Sequence, residues 1–336
     1  MTTLTYTRKD FQSDQEVKWC PGCGDFTILA SVQNLFAEIG LPREKFVIVS
    51  GIGCSSRFPY YMDTYGMHGI HGRAPAIATG IAITRPDLSV WVMTGDGDAL
   101  SIGGNHIIHA MRRNVNINVV VFNNQIYGLT KGQYSPTSEE GKITKSSPWG
   151  SIDHPFNPVS LALGAEASYV ARSIDMDREL TERVLREAYE HRGASFIEIY
   201  QNCNVFNNHA FLELTGKDTR DQNRINLVHG EPIVFGPEGE NAVIMENGAA
   251  KVVPTVSVDP SQIIVHDEFA VNPSVAFSLS RLSHGPHGPT PVGVFRNAER
   301  TVYETVLQEQ IDTVQKKKGV GDIETLVRSQ GTWTVE

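Results

Sequence analysis

The chain has 336 residues, 40% of them hydrophobic, enough to bury one large core or two smaller ones. With 29 basic against 38 acidic residues and a formal net charge of −9, it lacks the cationic surface that a phosphate backbone requires, which argues against nucleic acid as a partner. No apolar run is long enough to cross a bilayer, and the opening "MTTLTYTRKDFQSDQE" has no apolar stretch behind a basic one; the expectation is a cytoplasmic protein with no membrane partner.

In chain order, Ile28, Leu29, Val32, Leu35, Phe36 and Ile39 recur at helical spacing, with Asp25 as the expected N-cap and Gly40 as the stop. "KFVIVS" predicts a strand running into "GIGCSS", "PAIATGIAIT" a helix of small residues, and "LSVWVMTGDGD" a buried strand ending in a glycine turn. "GGNHIIHAMRRN" and "NINVVVFNN" predict the next helix and strand. Residues 125–155 are polar and rich in Gly, Ser, Thr and Pro, a length that inside a compact domain points to function or mobility. The pattern then resumes with a helix over "DRELTERVLREAYEHRG" and a strand over "ASFIEIYQNC".

This alternation predicts an α/β fold with a doubly wound, mainly parallel sheet. Such sheets bind ligands at the carboxyl ends of their strands. "GIGC", "GDGD", "NNQIYG" and "QNCN" each follow an expected strand, so all four are expected along one edge. From residue 224 the regularity weakens. "EPIVFGPEGENAVIM" predicts a hairpin, "NPSVAFSLSRLS" a helix, and a helical pattern from Tyr303 ends in Lys316, Lys317 and Lys318, cations suited to a helix C-terminus. The expected division is a main domain over 1–223 and a C-terminal extension or arm over 224–336, packed on the core or on a partner.

In "TGDGDALSIGG" glycines flank Asp96, so the backbone can turn tightly while the carboxylate projects from the strand end. Magnesium takes hard oxygen ligands in octahedral geometry and commonly joins one or two protein oxygens to a diphosphate. Asn124 lies one helix and one strand further on and can add an amide oxygen from the neighbouring strand end. An ordinary turn at "GDG" and a strand-end cap at "NN" is the competing reading. There is no GxGxxG between strand and helix and no GxxxxGK[ST] loop, which disfavours the dinucleotide and mononucleotide fingerprints.

The four cysteines, Cys20, Cys23, Cys54 and Cys203, all fall in turns: "CPGCG", "GIGCSS" and "QNCNVF". In a reducing compartment they make a poor disulfide framework. Four thiolates suit structural zinc or a [4Fe–4S] cluster, and a redox dithiol at Cys20 and Cys23 would leave Cys54 and Cys203 idle. One pair with two distant singles ties a metal to the expected ligand edge, which suits electron traffic better than fold support.

Together "WCPGCGDF", "GIGCSSRFPYY", "HGIHGRAPAIATG", "TGDGDALSIGGNHIIHAMRRN" and "NNQIYGLTKGQYSPTS" closely resemble the beta subunit of 2-oxoacid:ferredoxin oxidoreductases, most of all the 2-oxoglutarate type. The resemblance runs from about Lys18 to Phe206 and implies a thiamine diphosphate-binding fold of the diphosphate-binding type over 1–223. It implies Mg²⁺ held by Asp96, Asn124 and the carbonyl of Ile126, and one [4Fe–4S] cluster on Cys20, Cys23, Cys54 and Cys203. Gly95, Gly97, Asp98, Tyr127, Gly128, Leu129 and Thr130 are the further expected cofactor contacts. The implied reaction decarboxylates 2-oxoglutarate, sends electrons through the cluster to ferredoxin and passes the acyl group to coenzyme A, or runs in reverse as reductive carboxylation. The implied partner is an alpha subunit that carries the pyrimidine-binding domain, so the chain alone is expected to be inactive.

His71 and Arg73 are the candidate catalytic pair, able to hold a diphosphate or a substrate carboxylate, or else to cap the next helix; His68 is weighed with them. Arg57, Tyr60, Tyr61 and Lys131 are candidates for selecting the second carboxylate, with Lys131 standing in "TKGQ" where "TGGQ" is more widespread. His106 and His109 have one-turn spacing but no third ligand nearby, so packing is expected. The rival functions are a pyruvate or other 2-oxoacid oxidoreductase, a non-oxidative thiamine diphosphate decarboxylase or carboligase, which has no need of the cysteines, and a zinc-stabilised binding subunit, which has no need of the diphosphate motif.

Overall fold

Runs that are apolar at nearly every position become central strands covered on both faces. The computed structural model describes residues 5–283, 286–333 and 335; the first four residues of the opening segment lie outside these. The strands are β1 (Phe46–Ser50), β2 (Tyr65–His68), β3 (Ser89–Gly95), β4 (Asn118–Asn123), β5 (Tyr169–Ile174), β6 (Ser195–Tyr200) and β7 (Arg224–Leu227). Next come β8 (Val234–Phe235), β9 (Asn241–Glu246) and β10 (Ala249–Pro254), a small antiparallel sheet, and then β11 (Thr290–Asn297). The main sheet has eight strands in the order β2-β1-β3-β4-β6-β5-β11-β7, all parallel except the β5–β11 pair.

Successive strand residues point to opposite faces. Val47, Val49, Val90, Val92, Val119 and Val121 face one core, closed by α2 (Ala74–Thr84) and α4 (Gly104–Arg113). Phe46, Ile48, Trp91, Met93, Val120 and Phe122 face the other, closed by α1 (Asp25–Ile39) and α6 (Arg178–Glu190). The short α3 (Asp96–Leu100) follows β3, and α5 (Pro158–Gly164) leads into β5. The sheet is therefore doubly wound. Helix α1 buries Ile28, Leu29, Val32, Leu35 and Phe36, each contributing about 1.5–3 kcal/mol, and ends at Gly40 in the left-handed conformation with φ 69°. Its N-cap is Gly24 rather than the expected Asp25, whose side chain is buried instead of reaching back to the helix amides.

Of the elements that escape the sequence pattern, four do so for physical reasons that the structure shows. Every residue of β2 is exposed, so this edge strand carries no apolar alternation. In β5 Arg172 is buried against Glu198 of β6, an ion pair that disguises a core strand as a polar one. The α5 segment is only seven residues long. In β11, Pro291 and Gly293, with φ 113° and a register shift beyond it, read as breakers.

The division at 223/224 is not a break between compact units. Strands β7 and β11 extend the main sheet beyond β5, and the small sheet packs on it through Phe235 and Val243 in the core beside Ile225 and Leu227. The remaining helices are α7 (Leu212–Thr215), α8 (Arg220–Asn223), α9 (Ser274–Ser280), α10 (Tyr303–Lys318) and α11 (Ile323–Arg328).

Candidate functional site

Strands β1, β3, β4 and β6 are consecutive neighbours, so the four motifs that follow them meet at one edge, as the alternation predicts. Between them lies a cleft of about 110 Å³ lined by Gly95, Asp96, Gly97, Asp98, Asn124, Ile126, Tyr127, Gly128, Leu129 and Thr130, together with His71, Cys54 and Asp25. A larger cavity of about 380 Å³, lined by Arg172, Glu198, Arg281 and His287 among others, lies under the 125–157 loop and shares none of the expected site residues.

Asp96 opens α3 and is buried. Its Oδ2 accepts from Ser135 Oγ at 2.5 Å and Thr137 Oγ1 at 2.6 Å, while among the described residues no side chain hydrogen-bonds to Oδ1. Burial pushes its pKa up to about 6, against the two hydroxyls that hold it down. Tyr127 lies flat against Gly97, where an added Cβ would stand 2.2 Å from the ring, and donates its hydroxyl to the Gly97 carbonyl at 3.2 Å. Residues 127–133 close into a tight loop through Tyr127 N to Gln133 O and Gly132 N to Tyr127 O, both 2.9 Å. The Ile126 carbonyl receives no hydrogen bond among the described residues. Asn124 donates Nδ2 to Gln201 Oε1 at 2.9 Å, and its Oδ1 accepts from Ile126 N at 3.2 Å. A carboxylate oxygen, an amide oxygen and a main-chain carbonyl are the hard donors that Mg²⁺ takes, leaving positions for diphosphate and water.

Asp98 lines the same cleft but is not free for a cofactor. It accepts from His71 Nδ1, Gly72 N, Ile52 N and Thr94 Oγ1, which engages both oxygens. It thereby holds His71, a half-exposed side chain, by Nδ1 at the cleft. Arg73 does not reach the cleft; its Nη1 donates to the carbonyls of His71 and Ile102.

The CxxC knuckle folds over the edge and is stitched to it. Asn204 Nδ2 donates to Pro21 O at 2.6 Å, Gly24 N to Asn202 O at 3.3 Å, and Trp19 Nε1 to Cys54 O at 2.7 Å. All four cysteines are free, Cys20 exposed and the others half-buried. Gly128 bares its Cα to the same space: a Cβ there would lie 3.6 Å from Cys54 Sγ and 3.7 Å from Cys203 Sγ. Burial raises Cys23 and pushes Cys54 up to about 12, with Asp25 and the neighbouring cysteines adding to both, so these two thiols stay neutral unless a metal charge favours their thiolates. Among the described residues no three His, Cys, Asp or Glu side chains are gathered as a single-ion site. Cys54 and Cys203 share the space beside Gly128, and the charges of Cys23 and Cys54 couple to those of the other cysteines, a soft donor set of the kind that a metal ion or an iron–sulfur cluster takes.

Of the remaining candidates, Arg57 donates to Lys18 O and Tyr61 is buried, its hydroxyl accepting from Lys18 N. Tyr60 and His68 stack on each other at the surface, 5.3 Å between ring centres. Lys131 is exposed on the rim with φ 74°. His109 accepts from Arg112 on the helix surface. Sequence reasoning missed Asp25, Ser135, Thr137 and Gln201. Asp25 has both oxygens buried without a hydrogen-bond partner, and burial together with Asp175 raises its pKa to about 7. The signal for these was polar residues in runs that the fold buries, "SPTS" and the Gln that opens "QNCN".

A doubly wound sheet whose carboxyl edge presents a buried aspartate and an asparagine around a glycine turn defines a thiamine diphosphate enzyme, and residues 51–199 match the model of the thiamine pyrophosphate enzyme C-terminal TPP-binding domain. The chain is 55% identical over 330 residues to the 2-oxoglutarate oxidoreductase subunit KorB of Mycobacterium tuberculosis, covering 98% of this chain and 88% of that one. It is 48% identical over 185 residues to the 2-oxoglutarate synthase subunit KorB of Archaeoglobus fulgidus, 55% of this chain and 69% of the relative. It also superimposes on a chain of the 2-oxoglutarate:ferredoxin oxidoreductase from Magnetococcus marinus, solved with 2-oxoglutarate, coenzyme A and succinyl-CoA bound, with a TM-score of 0.75 at 32% identity, covering 99% of this chain and 98% of that one. The chain belongs to the KorB family, the beta subunits of 2-oxoglutarate:ferredoxin oxidoreductases.

Proposed function

We propose that this beta subunit holds thiamine diphosphate through Mg²⁺ on Asp96, Asn124 and the Ile126 carbonyl, and one [4Fe–4S] cluster on Cys20, Cys23, Cys54 and Cys203. Bound there, thiamine diphosphate would supply the electron sink for decarboxylating 2-oxoglutarate, and the cluster an outlet for the electrons towards ferredoxin, with coenzyme A as the acyl acceptor. The chain's own part is positional. Ser135 and Thr137 fix the Asp96 rotamer so that Oδ1 faces the cleft, Tyr127 and Gly128 present backbone to the diphosphate, and Asp98 orients His71 beside it. The glutamate that thiamine enzymes need for the aminopyrimidine has no counterpart among the described residues that line this cleft, which supports an alpha subunit as the partner that completes the site. Among the described residues no helix is long and apolar enough to cross a membrane, and thiols kept for metal binding suit a reducing compartment such as the cytoplasm.

The observation that carries this reading is Gly128: its loop lines the expected diphosphate cleft, and Gly128 itself lies beside Cys54 and Cys203, which supports two cofactors close enough to exchange electrons. The test is the iron, sulfide and zinc content of the chain purified without oxygen. The expected result is about four iron and four sulfide per chain; one zinc with no sulfide, persisting through reconstitution with iron and sulfide, refutes the electron-transfer reading.

A further inference from the structure

Gln201 is the first residue beyond β6 and is completely buried. Its backbone amide continues the sheet by donating to Asn123 O at 3.0 Å. Its side-chain amide makes three hydrogen bonds. Oε1 accepts from Asn124 Nδ2 at 2.9 Å, and Nε2 donates to Asn202 O at 2.7 Å and to Cys23 Sγ at 3.3 Å. A main-chain carbonyl can only accept, so the nitrogen of Gln201 has to face Asn202. Oε1 therefore faces Asn124, and Asn124 has to answer with its nitrogen. That leaves Asn124 Oδ1 on the side of Ile126 N and the cleft. A hard cation takes the amide oxygen and not the nitrogen, so the orientation set at Asn202 decides which atom Asn124 offers to a metal.

We propose that Gln201 is a positioning residue shared by the two cofactor sites: it fixes the oxygen of Asn124 towards the magnesium of thiamine diphosphate and donates an N–H···S hydrogen bond to the cluster ligand Cys23. The inference rests on the assignment of those two sites made above. A donor at a ligand sulfur stabilises the reduced, more negative cluster, so losing it moves the potential in the negative direction.

The test uses the purified two-subunit complex carrying Gln201→Met, which keeps the length of the side chain and removes its amide. Magnesium-dependent affinity for thiamine diphosphate, measured by calorimetry, is expected to fall about 10-fold or more. The midpoint of the cluster is expected to move negative, with iron and sulfide content retained. In an Asn124→Ala background the same substitution is expected to cost no further thiamine diphosphate affinity, because its effect passes through Asn124, while the shift in potential persists. Unchanged affinity and potential in folded Gln201→Met overturn the proposal, as does an additive loss in the Asn124→Ala background. Should Gln201→Met fail to fold, pulsed electron paramagnetic resonance of the unsubstituted complex grown with ¹⁵N-amide-labelled glutamine decides it: a nitrogen coupling to the reduced cluster is expected, and its absence overturns the proposal. A complex without iron, or an Asp96→Asn variant that binds thiamine diphosphate normally, would instead bring down the assignment of the sites.

Discussion

Asp96 and Asp98 sit two residues apart in α3 with equal burial, yet they have different work. Asp96 has its two hydroxyl donors on one oxygen, whereas Asp98 spreads four donors over both. Truncating Asp98 to Ala strands the amides of Gly72 and Ile52 and the hydroxyl of Thr94, each unmade bond costing about 1–3 kcal/mol. Asp98→Ala is expected to lower unfolding free energy by about 3 kcal/mol or more. Asp98→Asn keeps one acceptor oxygen and can set its NH₂ against the Thr94 hydroxyl, so a loss of about 1 kcal/mol is expected; urea unfolding of the two variants measures the contrast. Sequence could place both aspartates at the strand end, because the glycines and the strand were legible. It could not apportion their hydrogen bonds, because all the donors but Thr94 come from residues far along the chain. Asp25 was misread as a cap for a related reason: Asp favours that position in general, and only the packed knuckle reveals a side chain turned inward.

Among the elements, those legible in sequence are the ones whose residues all answer to one face or to both. Helix α1, strands β1, β3, β4 and β6, and the 234–246 hairpin follow from periodicity and turn residues. Strand β11 does not, and it is held in part by two histidines, His191 half-buried and His266 buried. His191, at the end of α6, bonds Ser168 Oγ and Asn297 Oδ1, and His266 donates from Nε2 to Val294 O at 2.7 Å. Burial lowers the pKa of both below the ordinary 6.5. The folded state therefore holds them neutral: their contribution is complete above pH 6.5 and is lost as pH falls from there towards the lowered folded values, because the unfolded chain binds the protons first. Asp25 and Asp96, raised to about 7 and about 6, act in the opposite sense over the same range. The effect is isolated by comparing variants. His266→Gln is expected to be less stable than the parent at pH 7.5, with the gap narrowing by pH 5.5 as the parent loses what the variant no longer has. Urea unfolding at the two pH values reads this directly, and a gap independent of pH would contradict it.

For the molecule as a whole, the edge that carries the site is also an open apolar surface. Ile52, Ile70, Leu129, Val205 and Phe206 are 38–71% exposed there, a rim of the kind that marks an interaction surface. At the other extreme of the chain, α10 buries only Glu304 and α11 buries nothing. Val314, Val320, Ile323, Leu326, Val327 and Trp333 all stand exposed. Side chains that leave so little water behind contribute little to the fold of this subunit. Removing residues 319–336 is therefore expected to leave the thermal midpoint of the isolated chain within about 2 °C of the parent. If these apolar side chains are buried by the partner subunit, the same truncation weakens assembly of the complex. Calorimetry of the chain alone and size-exclusion chromatography of the co-expressed subunits separate the two effects. A midpoint lowered by more than about 5 °C would show that the segment packs on its own chain. An unchanged midpoint with the complex lost would assign it to the interface, and an unchanged midpoint with the complex intact would remove it from that role.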